Sequence, residues 1–336
     1  MSTGTWPSKF VGAHILLIEP GPQNGSWDNI PSEWNSIRFD AVDVLFVSPF
    51  FVRTNDYSLM LSKPKEGAGD LVKRFEWVIA TARTKNPNVK IILEQFYGTC
   101  DGGSDYAIIH EWDDRINKYG ESVATFIESY YNKKLPAPNG NGEVSGRIDG
   151  LDVDVESGTK VPGLPKILAA TRLSLDKLGQ KLGGVRFSVS ICPAWGDYLN
   201  ASVASSCDYV NMQNYSGGQT NPPSVYYNVM PGLRKEQLAW GFASETPWTS
   251  TTGTFQEVKD KAAEVARAEF AGAYTWRINS NNYMYENVFQ VWLYNTVHGT
   301  TLPNFKPESF VAQFWPTGGR LDKSGESPLF PGMVYI

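Results

Sequence analysis

Eight short apolar runs recur along this chain, with stretches of helical periodicity between most of them, and few architectures accommodate that rhythm. The runs cover residues 10–19, 41–48, 89–97, 148–156, 185–191, 209–215, 237–242 and 272–276. Each is short and mostly apolar, as a strand buried on both faces requires. Apolar residues spaced three and four apart predict helices over 70–83, 122–132, 164–182, 254–270 and 284–297. Strands alternating with helices predict a parallel sheet, and eight such strands close a (β/α)8 TIM barrel. An open doubly wound sheet is the rival, but no Gly-x-Gly-x-x-Gly turn follows any of the runs. The length of 336 residues suits one barrel. Residues 1–300 are therefore read as a single α/β barrel domain, and 301–336, rich in Pro and Gly, as an irregular tail packed on it. The 98–147 connection is long and ends in Leu135-Pro-Ala-Pro-Asn-Gly-Asn-Gly; it is read as one wall of a cleft. The stretch between the seventh and eighth runs is mostly one helix and leaves no room for an inserted subdomain.

The fourth run reads Ile148-Asp-Gly-Leu-Asp-Val-Asp-Val-Glu156. Successive side chains of a strand point to opposite faces, so Asp152, Asp154 and Glu156 share one face, while Leu151, Val153 and Val155 share the other. Three adjacent carboxylates repel one another, which favours retention of a proton near neutral pH, the property a general acid needs. A calcium loop of the EF-hand type would need its glycine and glutamate further along, and they are absent. A solvated acidic edge strand does not explain the apolar residues around the triplet. In a barrel the chemistry gathers at the C-terminal ends of the strands. There the sixth run places Gln213 and Tyr215 on one face, and the eighth ends in Trp276.

Composition excludes several other functions. The formal net charge is −5 and no cluster of Lys and Arg is dense enough to hold a phosphate backbone, so no nucleic-acid partner is expected. No apolar run approaches the roughly 20 residues of a membrane-spanning helix. The first ten residues lack the apolar core of a signal peptide, consistent with a cytosolic protein or with a secreted one whose signal has been removed. Three cysteines do not make a disulfide framework, and His14, His110 and His298 are isolated in sequence and read as ordinary core or surface residues. No Cys/His spacing suits zinc, and neither a metal nor a cofactor is expected. Aromatic residues make up 13% of the chain, and such rings serve cores and sugar platforms alike.

The residues Asp149, Asp152, Asp154 and Glu156 complete an Asp-x-x-Asp-x-Asp-x-Glu pattern on the fourth strand, and with it the chain resembles glycoside hydrolase family 18. Gln213-x-Tyr215 resembles the sixth strand of that family's plant-type chitinases and endo-β-N-acetylglucosaminidases, and Trp276 its pocket-floor tryptophan. The resemblance spans about residues 10–298. The third strand departs from it: where the family often ends in Ser-x-Gly-Gly, this chain has Glu94-Gln-Phe-Tyr-Gly98.

The resemblance implies retaining, substrate-assisted hydrolysis of GlcNAc-β-1,4 linkages, with a GlcNAc-containing glycan as partner and the protein as a monomer. Glu156 would be the acid, Asp154 the group that holds the substrate's acetamide, and Asp152 its proton-sharing neighbour. Tyr215 and Gln213 would contact the acetamide. Trp276, Tyr97, Glu94, Trp195 and Asp149 would complete the sugar site, with Asp197 and Tyr198 beside Trp195. Asn279, Asn281 and Asn282 are read as a polar turn. The departure on strand three favours the chitobiose core of N-glycans as substrate; chitin oligomers are the alternative. A non-catalytic lectin or inhibitor on the same fold is the second alternative, and it would be expected to have lost one of the two outer acids.

Overall fold

A computed structural model of the chain describes residues 6–156, 161–194, 198–215, 222–244, 255–280 and 282–304. All eight runs become strands: Phe10–Leu16, Val44–Arg53, Lys90–Gln95, Gly150–Val155, Ser188–Pro193, Tyr209–Met212, Leu238–Ala243 and Gly272–Trp276. Each pairs in parallel with its neighbours, and the first pairs with both the second and the eighth, so the sheet closes into a barrel. Closure requires close approach at two glycines. A Cβ on Gly272 would lie 1.9 Å from the Phe10 carbonyl oxygen, and one on Gly150 would lie 2.3 Å from that of Ser188.

Alternation along the strands divides the interior in two. Val11, Ala13, Ile15, Leu151 and Val153 face outward into one apolar layer beneath the helices. Phe10, Val44, Phe46, Ile92, Ala239 and Tyr274 form a smaller cluster inside the barrel. Removing these side chains from water supplies the main drive to close the sheet, at about 25 cal/mol per Å² of apolar surface.

Among the described residues seven α-helices surround the strands: α1 (Val72–Lys85), α2 (Asp113–Tyr131), α3 (Leu164–Lys181), α4 (Ala201–Ser206), α5 (Pro223–Val229), α6 (Phe255–Arg267) and α7 (Tyr283–His298). Four of the five predicted helices agree closely with α1, α3, α6 and α7. The fifth, α2, begins nine residues earlier than the periodicity suggested (113 against 122). Gly120, which looks like a breaker, is there for packing: a Cβ would lie 2.9 Å from the Ala170 carbonyl oxygen of α3. The first connection carries two 3-10 turns, Ser32–Ser36 and Phe39–Ala41, in place of an α-helix.

The long 98–147 connection divides between the two ends of the barrel. Its beginning, not its end, lies at the barrel mouth, where Thr99–Cys100 and Gly103–Ser104 form a small ribbon paired to the end of the second strand. The Pro-Ala-Pro-Asn-Gly-Asn-Gly end instead turns a hairpin between Lys134–Pro136 and Glu143–Ser145. That hairpin leads into the N-terminal end of the fourth strand, away from the mouth. Of the tail, residues 301–304 lie on α7, where Asn304 donates to the Val288 carbonyl at 3.0 Å and the Leu302 amide donates to Asn295 at 2.8 Å. The rest of the tail lies outside the described residues. Among the described residues no helix is long and apolar enough to cross a membrane.

Candidate active site

The fourth strand carries the acids in a graded series from the barrel interior to its mouth. Asp152 is fully buried, Asp154 is 2% exposed, and Glu156, one residue past the strand, is partly open. Asp152 accepts hydrogen bonds from the Ser190 hydroxyl at 2.5 Å and the Asn211 amide at 2.9 Å. Ser190 lies directly opposite Asp152 in the register, and Asn211 comes from the next strand over. Gln213 donates from Nε2 to Asp154 at 3.2 Å and to the Cys192 carbonyl at 3.1 Å. It also hydrogen-bonds Glu156, as does the Tyr97 hydroxyl. Oδ2 of Asp152 and Oδ2 of Asp154 are buried with no hydrogen-bond partner among the described residues.

Burial dominates the electrostatics. It pushes Asp152 up to about 7, and the neighbouring Glu94 adds to the rise, while His14, Ser190 and Asn211 oppose it. Asp154 is raised well above the ordinary carboxyl range, first by burial, then by Glu156, Glu94 and Asp152. Glu156 is raised by burial too, against the hydrogen bonds from Gln213 and Tyr97. A dry interior disfavours several negative charges together, so the inner acids share protons near neutral pH.

Around the acids the barrel supplies an aromatic rim. Trp276 ends the eighth strand and lies parallel to Phe96, with centroids 6.1 Å apart and planes at 14°. Phe96 stacks in turn on Tyr97, which is 38% exposed. Tyr215 is buried beside Tyr274, their rings 6.0 Å apart and edge-on. The Tyr274 hydroxyl donates to the Met212 carbonyl at 3.0 Å, with the Tyr215 oxygen at 3.4 Å. Gly241 makes this arrangement possible: a Cβ there would come within 2.6 Å of both the Tyr274 oxygen and the Tyr215 ring.

The structure therefore brings Glu156, Asp154, Asp152, Gln213, Tyr215, Tyr97 and Trp276 to the mouth and the upper interior. Two candidates fall elsewhere. Asp149 precedes the strand at the opposite end of the barrel, about 20 Å from Glu156 at the rise of an extended strand. It is buried in ion pairs with Arg83 at 2.8 Å and Arg147 at 3.2 Å, and accepts from the Ile91 amide. Its visible partners are structural, and it lies apart from the residues gathered at the mouth. Glu94 is fully buried, opposite Asp152 in the strand register, with Oε1 2.7 Å from His14 Nδ1.

Asn279 is also structural, bonding Leu16 and Glu19 through its side chain. Asn282 directly precedes α7, and Tyr198 packs against the core. Trp195, Asp197 and Asn281 lie outside the described residues. Sequence reasoning missed His14, Ser190, Asn211, Phe96 and Tyr274. The inward alternation of strands one, five, six and eight could have revealed all but Phe96.

No protein-family model matches the chain, and no curated protein matches it by sequence. Solved structures match it by fold. The class V chitinase from Nicotiana tobaccum is 13% identical with a TM-score of 0.60, covering 86% of this chain and 99% of its own. The GH18 chitinase ChiB from Flavobacterium johnsoniae is 13% identical at 0.55, covering 85% and 94%. The chitinase-like agglutinin from Robinia pseudoacacia is 13% identical at 0.57, covering 84% and 99%. At such identities the likeness is one of fold: the chain has the barrel of the GH18 chitinases and chitinase-like proteins.

Proposed function

We propose that this chain is a retaining glycoside hydrolase of family 18 that cleaves GlcNAc-β-1,4 linkages with help from the substrate's own acetamide. The observation that carries the reading is the graded acid series. Two buried acids are pushed above the ordinary carboxyl range, and a third, on the same face, is open to the mouth beside Tyr97 and Gln213. Glu156 gives its proton to the glycosidic oxygen as the bond to the anomeric carbon breaks. The acetamide oxygen bonds to that carbon, leaving an oxazolinium ion, the substrate-assisted variant of retaining hydrolysis. Asp154 accepts the acetamide N–H and its charge offsets the cation. Asp152 shares the proton that Asp154 gives up. Tyr215 and Gln213 position the acetamide, and Trp276 underlies the sugar ring. The Glu156 carboxylate then takes a proton from water, whose oxygen opens the oxazolinium with retained configuration.

Within this class the reading favours the chitobiose core of N-glycans. Supporting it, the third strand is followed at the mouth by bulky Phe96 and Tyr97, with Tyr97 hydrogen-bonded to Glu156. The chitinases among the fold neighbours favour chitin oligomers instead, and the chitinase-like agglutinin favours a lectin.

Mass spectrometry of purified protein incubated separately with a high-mannose glycoprotein, a complex-type glycoprotein and chitohexaose decides among the three. Glycan loss leaving one GlcNAc on the protein is the expected result. Shortened chito-oligomers alone make it a chitinase, and silence on all three with the protein folded overturns the hydrolase reading.

A further inference from the structure

Below the acids, the barrel interior holds a pair that the mechanism above does not use. His14 on the first strand and Glu94 on the third are both fully buried, with Nδ1 and Oε1 2.7 Å apart. Neither ring nitrogen of His14 and neither carboxyl oxygen of Glu94 makes a hydrogen bond among the described residues, so the 2.7 Å approach is a contact outside hydrogen-bond geometry. The imidazole is held in place by rings: it stacks on Phe46 at 4.6 Å and 15°, with Tyr274 and Trp276 each 5.2 Å away. Glu94 lies directly opposite Asp152 in the strand register. One level further in, Phe10, Val44 and Ile92 show that hydrocarbon fills this barrel without difficulty. A buried acid–base pair is a poor way to gain stability, because its desolvation offsets most of the attraction. Local rules broken in this way concentrate at functional sites.

We propose that His14 and Glu94 are positioning residues that set how many protons Asp152, Asp154 and Glu156 carry between them. This rests on the hydrolase reading above for its role in turnover. The groups facing the pair are Asp152, Asp154 and Glu156 from the fourth strand, Cys192 from the fifth and Tyr274 from the eighth. Four of the groups in this cluster are carboxyls, counting Glu94 itself, and His14 is their basic member. Negative charge at Glu94 makes each further ionisation on the fourth strand harder, and the imidazole 2.7 Å away limits this effect. The directions agree: Glu94 raises Asp152, Asp154 and Glu156, and His14 lowers Asp152 and Glu156.

The test uses Glu94→Gln in the full chain, with the neutral double variant His14→Gln/Glu94→Gln as a second construction of the site. Two readouts are taken. The first needs no substrate: the protonated-carboxyl infrared band of Asp152, assigned by its loss in Asp152→Asn, is followed against pH. Removing the Glu94 charge is expected to move its disappearance to lower pH by about half a unit or more, the effect of one like charge nearby. The second is the pH profile of kcat/KM. Glu156 works protonated, so a lowered Glu156 moves the alkaline limb to lower pH as well, with KM changed less than kcat. Folded Glu94→Gln protein in which neither the band nor the limb moves overturns the inference, because a merely structural pair would lower Tm and leave both in place. If wild-type protein turns over no GlcNAc substrate, the hydrolase reading fails, and the infrared titration alone still decides whether Glu94 governs the protons on Asp152.

Discussion

Glu156 differs from Asp152 and Asp154 in being open to the mouth, and on the proposed reading it transfers the proton while the other two hold and tune. Glu156→Gln keeps the shape and the hydrogen-bonding oxygen but removes the proton. It is expected to lower kcat by about 10²-fold or more with Tm nearly unchanged, measured by initial rates and thermal melting. Asp149→Ala should do the reverse. Removing one partner of the buried Arg83 and Arg147 pairs leaves guanidinium charge uncompensated, at a cost of about 3–5 kcal/mol. Its signature is a lower denaturant midpoint with the pH profile of kcat/KM in place; a changed KM at unchanged stability would return Asp149 to the sugar site. The four acids of the fourth strand were legible in the sequence as a spacing, and the outer three as one face, because a strand has period two. That the first belongs to the opposite end was not used, although seven residues of extended chain imply it. His14 was set aside because a lone histidine says nothing until the strand opposite it is known.

At the scale of elements, the eight strands were legible because burial on both faces writes continuous apolar runs, and four helices because amphipathic periodicity marks them. What was not legible is what periodicity cannot carry. The helix α4 has six residues, too few for a stripe, and its cue was the cap Asn200, whose side chain accepts the Val203 amide. The start of α2 was hidden by Gly120, whose reason is the neighbouring helix. Gly241 is the parallel case inside the barrel. Gly241→Ala would place a methyl carbon 2.5 Å from the Met212 carbonyl oxygen and against both tyrosines. We expect it to cost about 1–3 kcal/mol by overpacking, read from a urea midpoint, and to reduce kcat by displacing Tyr215. Wild-type stability and rate in that variant would show that the tyrosine pair tolerates movement.

For the whole molecule, the buried acids set an unusual dependence of stability on pH. Asp152 is pushed up to about 7 and Glu286, buried behind Ser280 at the start of α7, to about 8. Unfolded carboxyls lose their protons near pH 4. Between those values the folded chain binds more protons than the unfolded one, so the contribution of these groups is complete below about pH 4 and lost as pH rises through 7 and 8. Tm should therefore fall between pH 5 and 8.5, and Glu286→Gln should flatten the upper part of that fall. A Tm that climbs over the same range would contradict the buried, protonated state of both groups. Closure of the barrel followed from counting strands, whereas the division of its interior into an apolar floor and a polar upper layer required the register between strands.

The central claim is that the acid series works with the substrate's acetamide to retain configuration. Proton NMR of the first product formed from a GlcNAc-β-1,4 oligomer, recorded before mutarotation, tests this most directly. The β-anomer is expected first, with the α-anomer growing in only at the rate of free equilibration. An α-anomer appearing first would mean inversion and would contradict the assignment of Asp154 and Glu156.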